Sequence, residues 1–314
     1  MTLRPRAVLV QRRSEYDEVL VRHGTRQQAA FFLEGRGRSI DELADRHHRQ
    51  QEAWDVVSAA VPADWRRATV ERADLDRFDL AEGDVVVVVG QDGLVANVAK
   101  YLRGQPVIGI NPDPGRNPGI LVPHRPHGDE VARLLVAAAD GRCRLQHRTM
   151  VVARTDDGQE LHALNEVYVG HRSHQSARYR IVLADGSAER QSSSGLLAGT
   201  GTGATGWLRS VWQERNSAIE LPAPTDPGLC WFVREAWPSL ATGTSLTQGV
   251  LAAGDLLSLQ AESDGLVCFG DGIEADALHL SWGQTLTVTT ASRTLDLVVA
   301  GVAGPTTPPH RSVP

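Results

Sequence analysis

An N-terminal doubly wound α/β domain followed by an antiparallel β-sandwich-like domain is the fold this sequence predicts. Three observations carry that reading. Asp84 is followed by five consecutive valines, a β-branched run with no polar alternation, as expected of a strand buried on both faces of a parallel sheet. Up to about residue 140, strand-like runs alternate with helical patterns, the arrangement of a parallel α/β sheet. Beyond it, short alternating stretches are separated by Asp-Gly, Gly and Ser turns, which reads as antiparallel β structure.

In chain order, Ala7 to Val10 is a short apolar strand. Ser39-Ile-Asp-Glu42 is a capping-box pattern that opens a helix through Ala60. Ala68 to Val70 is a second strand, then come the valine strand and a helix from Leu94 to Leu102. Pro106 to Ile110 is another buried strand, ending in the turn-rich Asn111-Pro-Asp-Pro-Gly115. Glu130 to Ala139 is a helix. In the second half, Leu161 to Val169, Arg178 to Ala184 and Thr285 to Thr289 read as strands, and Thr205 to Gln213 as one helix among them. The expected domains are residues 1–140, 141–303 and a disordered tail over 304–314, where four of eleven residues are proline.

With 314 residues the chain can bury a sizeable core. Apolar residues at 41% and charged residues at 22% fit a globular protein, and a net charge of -6 argues against nucleic acid as a partner. No window holds the run of apolar residues that a membrane helix needs. Cys143, Cys230 and Cys268 lie far apart with no C-x-x-C spacing, so a reducing compartment, the cytoplasm, is expected. Lys100 is the single lysine, so no G-x-x-x-x-G-K-[ST] phosphate loop exists. Phosphate charge must then be met by arginine, backbone amides or a metal ion.

Five segments carry candidate chemistry. Gly90-Gln-Asp-Gly93 follows the valine strand and places Asp92 at its carboxyl end, where open α/β sheets put their ligands. Asn111-Pro-Asp-Pro ends the next strand, and Asn165-Glu166 sets an amide beside a carboxylate. Thr200-Gly-Thr-Gly-Ala-Thr-Gly206 runs from a strand into a helix and offers free amides and hydroxyls. Phe269-Gly-Asp-Gly272 is a second acid-bearing turn. Taken singly, each also reads as ordinary turn or strand-edge chemistry. Arg46-His47-His48 lies on the long helix, where paired histidines are usually solvated or packed.

The order and spacing of these segments resemble the NAD kinase family. The match is to the mitochondrial-type enzymes and their bacterial relatives. It rests on Pro106-Val-Ile-Gly-x-Asn-x-Asp-Pro114, Ser193-Ser-Gly-Leu196, Thr200-Gly-Thr-Gly-x-x-x-Trp207 and the Arg46-His47-His48 helix. The resemblance implies an ATP-dependent kinase that moves the γ-phosphate to the 2′-hydroxyl of NAD, giving NADP, with Mg²⁺ accompanying ATP and the site in a cleft between two domains. It implies Asp92 as the base, with Gly90, Gln91 and Gly93 at the phosphates and Asn111 in the same binding set. Asn165 and Glu166 would hold the adenosine ribose and base. Thr200, Thr202, Thr205 and Gly206 would lie about the nucleotide, and Asp271 near the second nucleoside. A homodimer is implied as well.

Four departures stand out. Gln91 replaces the second glycine of the family's Gly-Gly-Asp-Gly, adding bulk and disfavouring a positive φ there. Leu94 replaces a threonine, Gly206 replaces an alanine, and Arg116-Asn117 alter the turn after Asp113. Two other readings therefore stay open: a same-fold kinase acting on a nucleoside or other small hydroxyl compound, and a non-catalytic nucleotide-binding homologue.

Overall fold

The computed structural model describes residues 4–302; the expected tail over 304–314 lies outside them. The chain forms two compact units. Residues 4–95, 105–146 and 296–302 fall in the first, and 96–104 with 147–295 in the second.

The first unit begins with β1 (Arg6–Gln11), α1 (Glu15–His23), α2 (Arg26–Glu34), α3 (Ile40–Ala60), β2 (Arg66–Glu71) and β3 (Asp84–Val89). It continues through the start of α4 (Asp92–Ala99), β4 (Val107–Ile110) and α5 (Gly128–Ala139). Strands β2, β1, β3 and β4 pair in that order, all parallel, with Val10 opposite both Val70 and Val88, and Val88 opposite Gly109. All six residues of β3 are buried, which is why its valine run shows no alternation. Val85, Val87 and Val89 pack with Ala53 and Val57 of α3 and Leu134, Leu135 and Ala138 of α5. Asp84 is tolerated in that strand because Arg6 on β1 grips its carboxylate at 2.8 and 2.5 Å.

The second unit is antiparallel. It holds most of β5 (Cys143–Thr155), then β6 (Glu160–Ala163), β7 (Glu166–His171), β8 (Ala177–Val182), β9 (Ala188–Ser193) and β10 (Gly195–Gly199). α6 (Trp207–Glu214) follows, then β11 (Leu229–Arg234), β12 (Gln248–Leu251), β13 (Leu257–Ala261), β14 (Leu266–Gly270), β15 (Ile273–Leu280) and β16 (Thr285–Val302), whose last residues belong to the first unit. One sheet runs β12-β11-β10-β7-β14-β15. The facing strands include β8, paired with β9 and β13, and β13, paired with β16. Val169, Leu196, Trp231 and Cys268 of one layer share a buried cluster with Tyr179, Ile181, Leu259 and Leu286 of the other, as in a β-sandwich.

Several elements differ from expectation. The reciprocal capping box forms at Ser14 and Asp17, at the start of α1. Ser39 caps α3 through the Asp41 amide instead. Helices α1 and α2 have no predicted counterpart. The stretch Leu161 to Val169 is two strands, because Leu164 and Asn165 turn the backbone between β6 and β7. Helix α4 begins at Asp92 itself rather than at Leu94.

Candidate active site

In the first unit, Asp92 is the first residue of α4. The corner is fixed by Gly90 N–H donating to Ile110 O at 3.0 Å and Leu94 N–H to Gln91 O at 2.9 Å. The Asp92 carboxylate accepts from two backbone amides, Leu121 N at 2.8 Å on Oδ1 and Ile120 N at 2.9 Å on Oδ2. Each oxygen keeps a further lone pair, so the group can still accept a proton donor. Two glycines make the approach possible. A Cβ on Gly119 would lie 2.7 Å from Asp92 Oδ1, and one on Gly109 would lie 2.0 Å from Leu121 O.

The bulk at Gln91 does not force a left-handed backbone. Among the described residues, the non-glycine residues with positive φ are Asn216, Glu235 and Asp271, and neither Gly90 nor Gly93 has one. The corner therefore accepts a side chain at position 91, and Gln91 is exposed. The backbone of this turn thus tolerates Gln91 without strain.

Gly90, Gln91, Gly93 and Asn111 line a pocket of about 260 Å³. Its other walls bring Arg12 and Arg13 from the end of β1, Tyr16 from α1, and Arg46 and His47 from α3. Arg12 and Arg46 are exposed. Arg46 reaches Glu15 only at 3.8 Å. His47 Nδ1 is held by Ser14 Oγ at 2.8 Å, so the ring is oriented by the α1 cap. Asn111 is buried, and its side chain is spent on its own loop, donating to Asn117 O at 2.7 Å and accepting from Asp113 N at 3.0 Å. The Ile120 and Leu121 amides that hold Asp92 are not among the residues the sequence singled out. The signal for them was the spacing of Gly109 and Gly119, which motif matching does not weigh.

In the second unit, Asn165 and Glu166 sit at the break between β6 and β7. Asp271, at the β14–β15 turn, holds that break. Its carboxylate accepts from Leu164 N at 2.8 Å and Asn165 N at 2.7 Å, and its own amide donates to Glu166 O at 3.1 Å. The loop after β10 wraps the same place. Thr200 is fully buried, donates to Leu164 O at 2.6 Å, and accepts from Thr202 N and Gly203 N. Gly199 and Gly203 press on Asn165, since a Cβ on either would lie 2.6 or 2.3 Å from its carbonyl oxygen. Thr202 is buried, while Thr205 and Gly206 are exposed at the start of α6, with Thr205 Oγ1 donating to Thr202 O at 2.8 Å. A Cβ at Gly206 would touch only Gly203 O, at 3.8 Å.

The unit thus gathers Asn165, Glu166, Thr200 and Asp271 around one backbone corner, with Thr202, Thr205 and Gly206 further along the loop that Thr200 anchors to it. Among the described residues, neither the Asn165 amide nor the Glu166 carboxyl makes a side-chain hydrogen bond. Glu166 is 9% exposed. Burial, with Asp271 nearby, pushes its carboxyl up to about 8. Burial also raises Asp271, to about 6, against the pull of its backbone donors and the Lys100 charge. The three cysteines are free, with Cys230 and Cys268 buried. No group of three or more His, Cys, Asp or Glu among the described residues is placed to hold a metal ion.

No family model matches the chain. It is 28% identical over 229 residues to the rat protein named NAD kinase 2, mitochondrial, covering 59% of this chain and 54% of that protein. Its human counterpart is 27% identical over 229 residues, covering 59% and 52%. The NAD kinase of Methanoculleus marisnigri is 35% identical over 137 residues, covering 43% and 48%. The chain spans about half the length of these curated relatives. The fold is that of yeast NADH kinase, solved in complex with NADH, with a TM-score of 0.56 over 96% of this chain and 85% of that one at 17% identity.

Proposed function

We propose that this chain, a relative of the NAD kinases in sequence and in fold, moves the ATP γ-phosphate to the 2′-hydroxyl of NAD or NADH. The single observation that carries the proposal is Asp92, held by the Ile120 and Leu121 amides in the turn whose neighbouring residues Gly90, Gln91 and Gly93 line a pocket edged with arginines. Phosphoryl transfer needs positioning, charge neutralisation and a group that takes the hydroxyl proton. Asp92 supplies the last. The acceptor oxygen bonds to the γ-phosphorus, the bond to the β,γ-bridging oxygen breaks, ADP leaves, and the proton passes to the carboxylate.

The pocket's exposed arginines and its glycine-lined wall suit the phosphates of a nucleotide. Arg12 and Arg46 meet phosphate charge in place of a phosphate-loop lysine, since the single lysine, Lys100, lies in no such loop. Gly90 and Gly93 leave the backbone open at that wall, and Gln91 offers its amide to it. Asn111 contributes by shaping the loop over 111–117. Mg²⁺ arrives as part of MgATP, because magnesium prefers phosphate oxygens and few protein ligands.

In the second unit, Asn165 and Glu166 offer unpaired amide and carboxyl groups to the adenosine of the acceptor. Thr205 and Gly206, on the loop anchored by Thr200, supply the base-contacting edge in this reading, and Thr200, Thr202 and Asp271 hold the corner and its loop. We assign the protein to a reducing compartment, the cytoplasm, on its free cysteines, and to a homodimer, to be read from the solution mass. No partnership with nucleic acid is proposed, on the net charge of -6.

The test is direct. With MgATP and either NAD or NADH, the product gains one phosphate at the 2′-position, identified by mass and fragmentation. Phosphate appearing only on free nucleosides would overturn the proposal.

A further inference from the structure

Lys100 is an unusual place for the chain's single lysine. Its side chain is 3% exposed, and burying an ammonium is costly unless every donor is used. Nζ lies 2.7 Å from Asp276 Oδ2 on β15 and 3.4 Å from Gly270 O. Tyr101 Oη reaches the same Asp276 carboxylate at 3.2 Å. Three residues earlier, inside α4, the buried Asn97 donates Nδ2 to Asp271 O at 3.4 Å, while Lys100 follows the helix's last residue, Ala99. Two successive carbonyls, those of Gly270 and Asp271, are thus gripped by an i, i+3 pair.

The gripped turn is one that needs holding. Asp271 has φ +53, a left-handed conformation that costs a non-glycine residue free energy. Gly270 is pressed against β6, since a Cβ there would lie 2.7 Å from Ala163 Cβ. From this turn the Asp271 carboxylate reaches the Leu164 and Asn165 amides. A chain of contacts therefore runs from Lys100 and Asn97, through Gly270 and Asp271, to the corner that presents Asn165 and Glu166.

We propose that Lys100, with Asn97, is a positioning residue for the Asn165–Glu166 pair, acting through the Gly270–Asp271 turn. The inference rests on the reading of that pair as the acceptor site, but its structural half can be measured without any reaction. Lys100→Met removes the charge and the grip; Lys100→Arg keeps a cation and donors. In full-length protein, Lys100→Met should speed amide exchange at Leu164 and Asn165 about ten-fold relative to Tyr179 in β8. NAD binding should weaken by a similar factor, with KM rising and kcat within about two-fold. Lys100→Arg should restore part of both.

If Lys100→Met fails to fold, Asn97→Ala makes the same test with a smaller change. Unchanged exchange at Leu164 and Asn165 in a folded variant would overturn the proposal. So would equal acceleration at Tyr179, which marks a general loss of stability. Selective exchange with no NADP formed by the wild type would support the positioning role and overturn the kinase reading instead.

Discussion

Asp271 Oδ1 accepts the Asn165 amide at 2.7 Å while Oδ2 accepts that of Leu164 at 2.8 Å, so one carboxylate sets the corner from which Asn165 and Glu166 project. Replacing it with alanine strands two amides and leaves a left-handed residue without compensation. Asp271→Ala should cost about 2–4 kcal/mol in urea unfolding. Asp271→Asn keeps one acceptor and a side chain that tolerates positive φ, so its loss should be about half as large.

Glycine spacing in the Thr-Gly loop is a packing requirement. A Cβ on Gly203 would lie 2.3 Å from the Asn165 carbonyl oxygen, and backbone cannot step aside cheaply. Gly203→Ala should destabilise by about 1–3 kcal/mol. Gly93→Ala should do the opposite. Gly93 sits in the first turn of α4 with nothing within 4 Å of its Cβ position, so alanine should stabilise by about 0.5–1 kcal/mol. If phosphates approach that wall, the same variant should show a raised KM for ATP.

Glu166 makes stability depend on pH. Burial raises its carboxyl from 4.5 to about 8, so the folded state holds a proton that the unfolded chain releases. This contribution is complete below pH 4.5 and is lost as pH rises toward 8. Urea midpoints at pH 5 and pH 8.5 should show the wild type losing more stability than Glu166→Gln over that interval. An equal change in both would contradict a proton on Glu166.

Arg12 is exposed on the pocket wall at the end of β1. Arg12→Ala should raise the KM for ATP about ten-fold, leave that for NAD unchanged, and steepen no salt dependence. Steady-state kinetics with each substrate varied in turn decide it.

Much of the fold was legible because its signals are local. The five valines and the Thr-Gly loop each state their own structure, and Ser39 marks the start of α3 although its bond goes to the Asp41 amide. The lost parts depend on distant residues. Helices α1 and α2 carry few buried apolar positions and close over α3 through Ala29, Leu33, Ile40 and Leu43, a cluster that no single window displays. The site divided the same way. Asp92, Asn165, Glu166 and Asp271 stood out by type, whereas the groups that the carboxylates of Asp92 and Asp271 grip, the backbone amides of Ile120, Leu121, Leu164 and Asn165, are invisible to residue identity. Whether the turn tolerates Gln91 could not be read from residue type, because it depends on a backbone φ that this corner keeps negative.

The central claim is that Asp92 takes the proton from the acceptor hydroxyl. The most direct measurement is NADP formation from MgATP and NAD by Asp92→Asn, with folding checked by its thermal transition. The account predicts a folded variant that binds both nucleotides and forms NADP at least about a hundred-fold more slowly. A folded Asp92→Asn protein with wild-type kcat would contradict it.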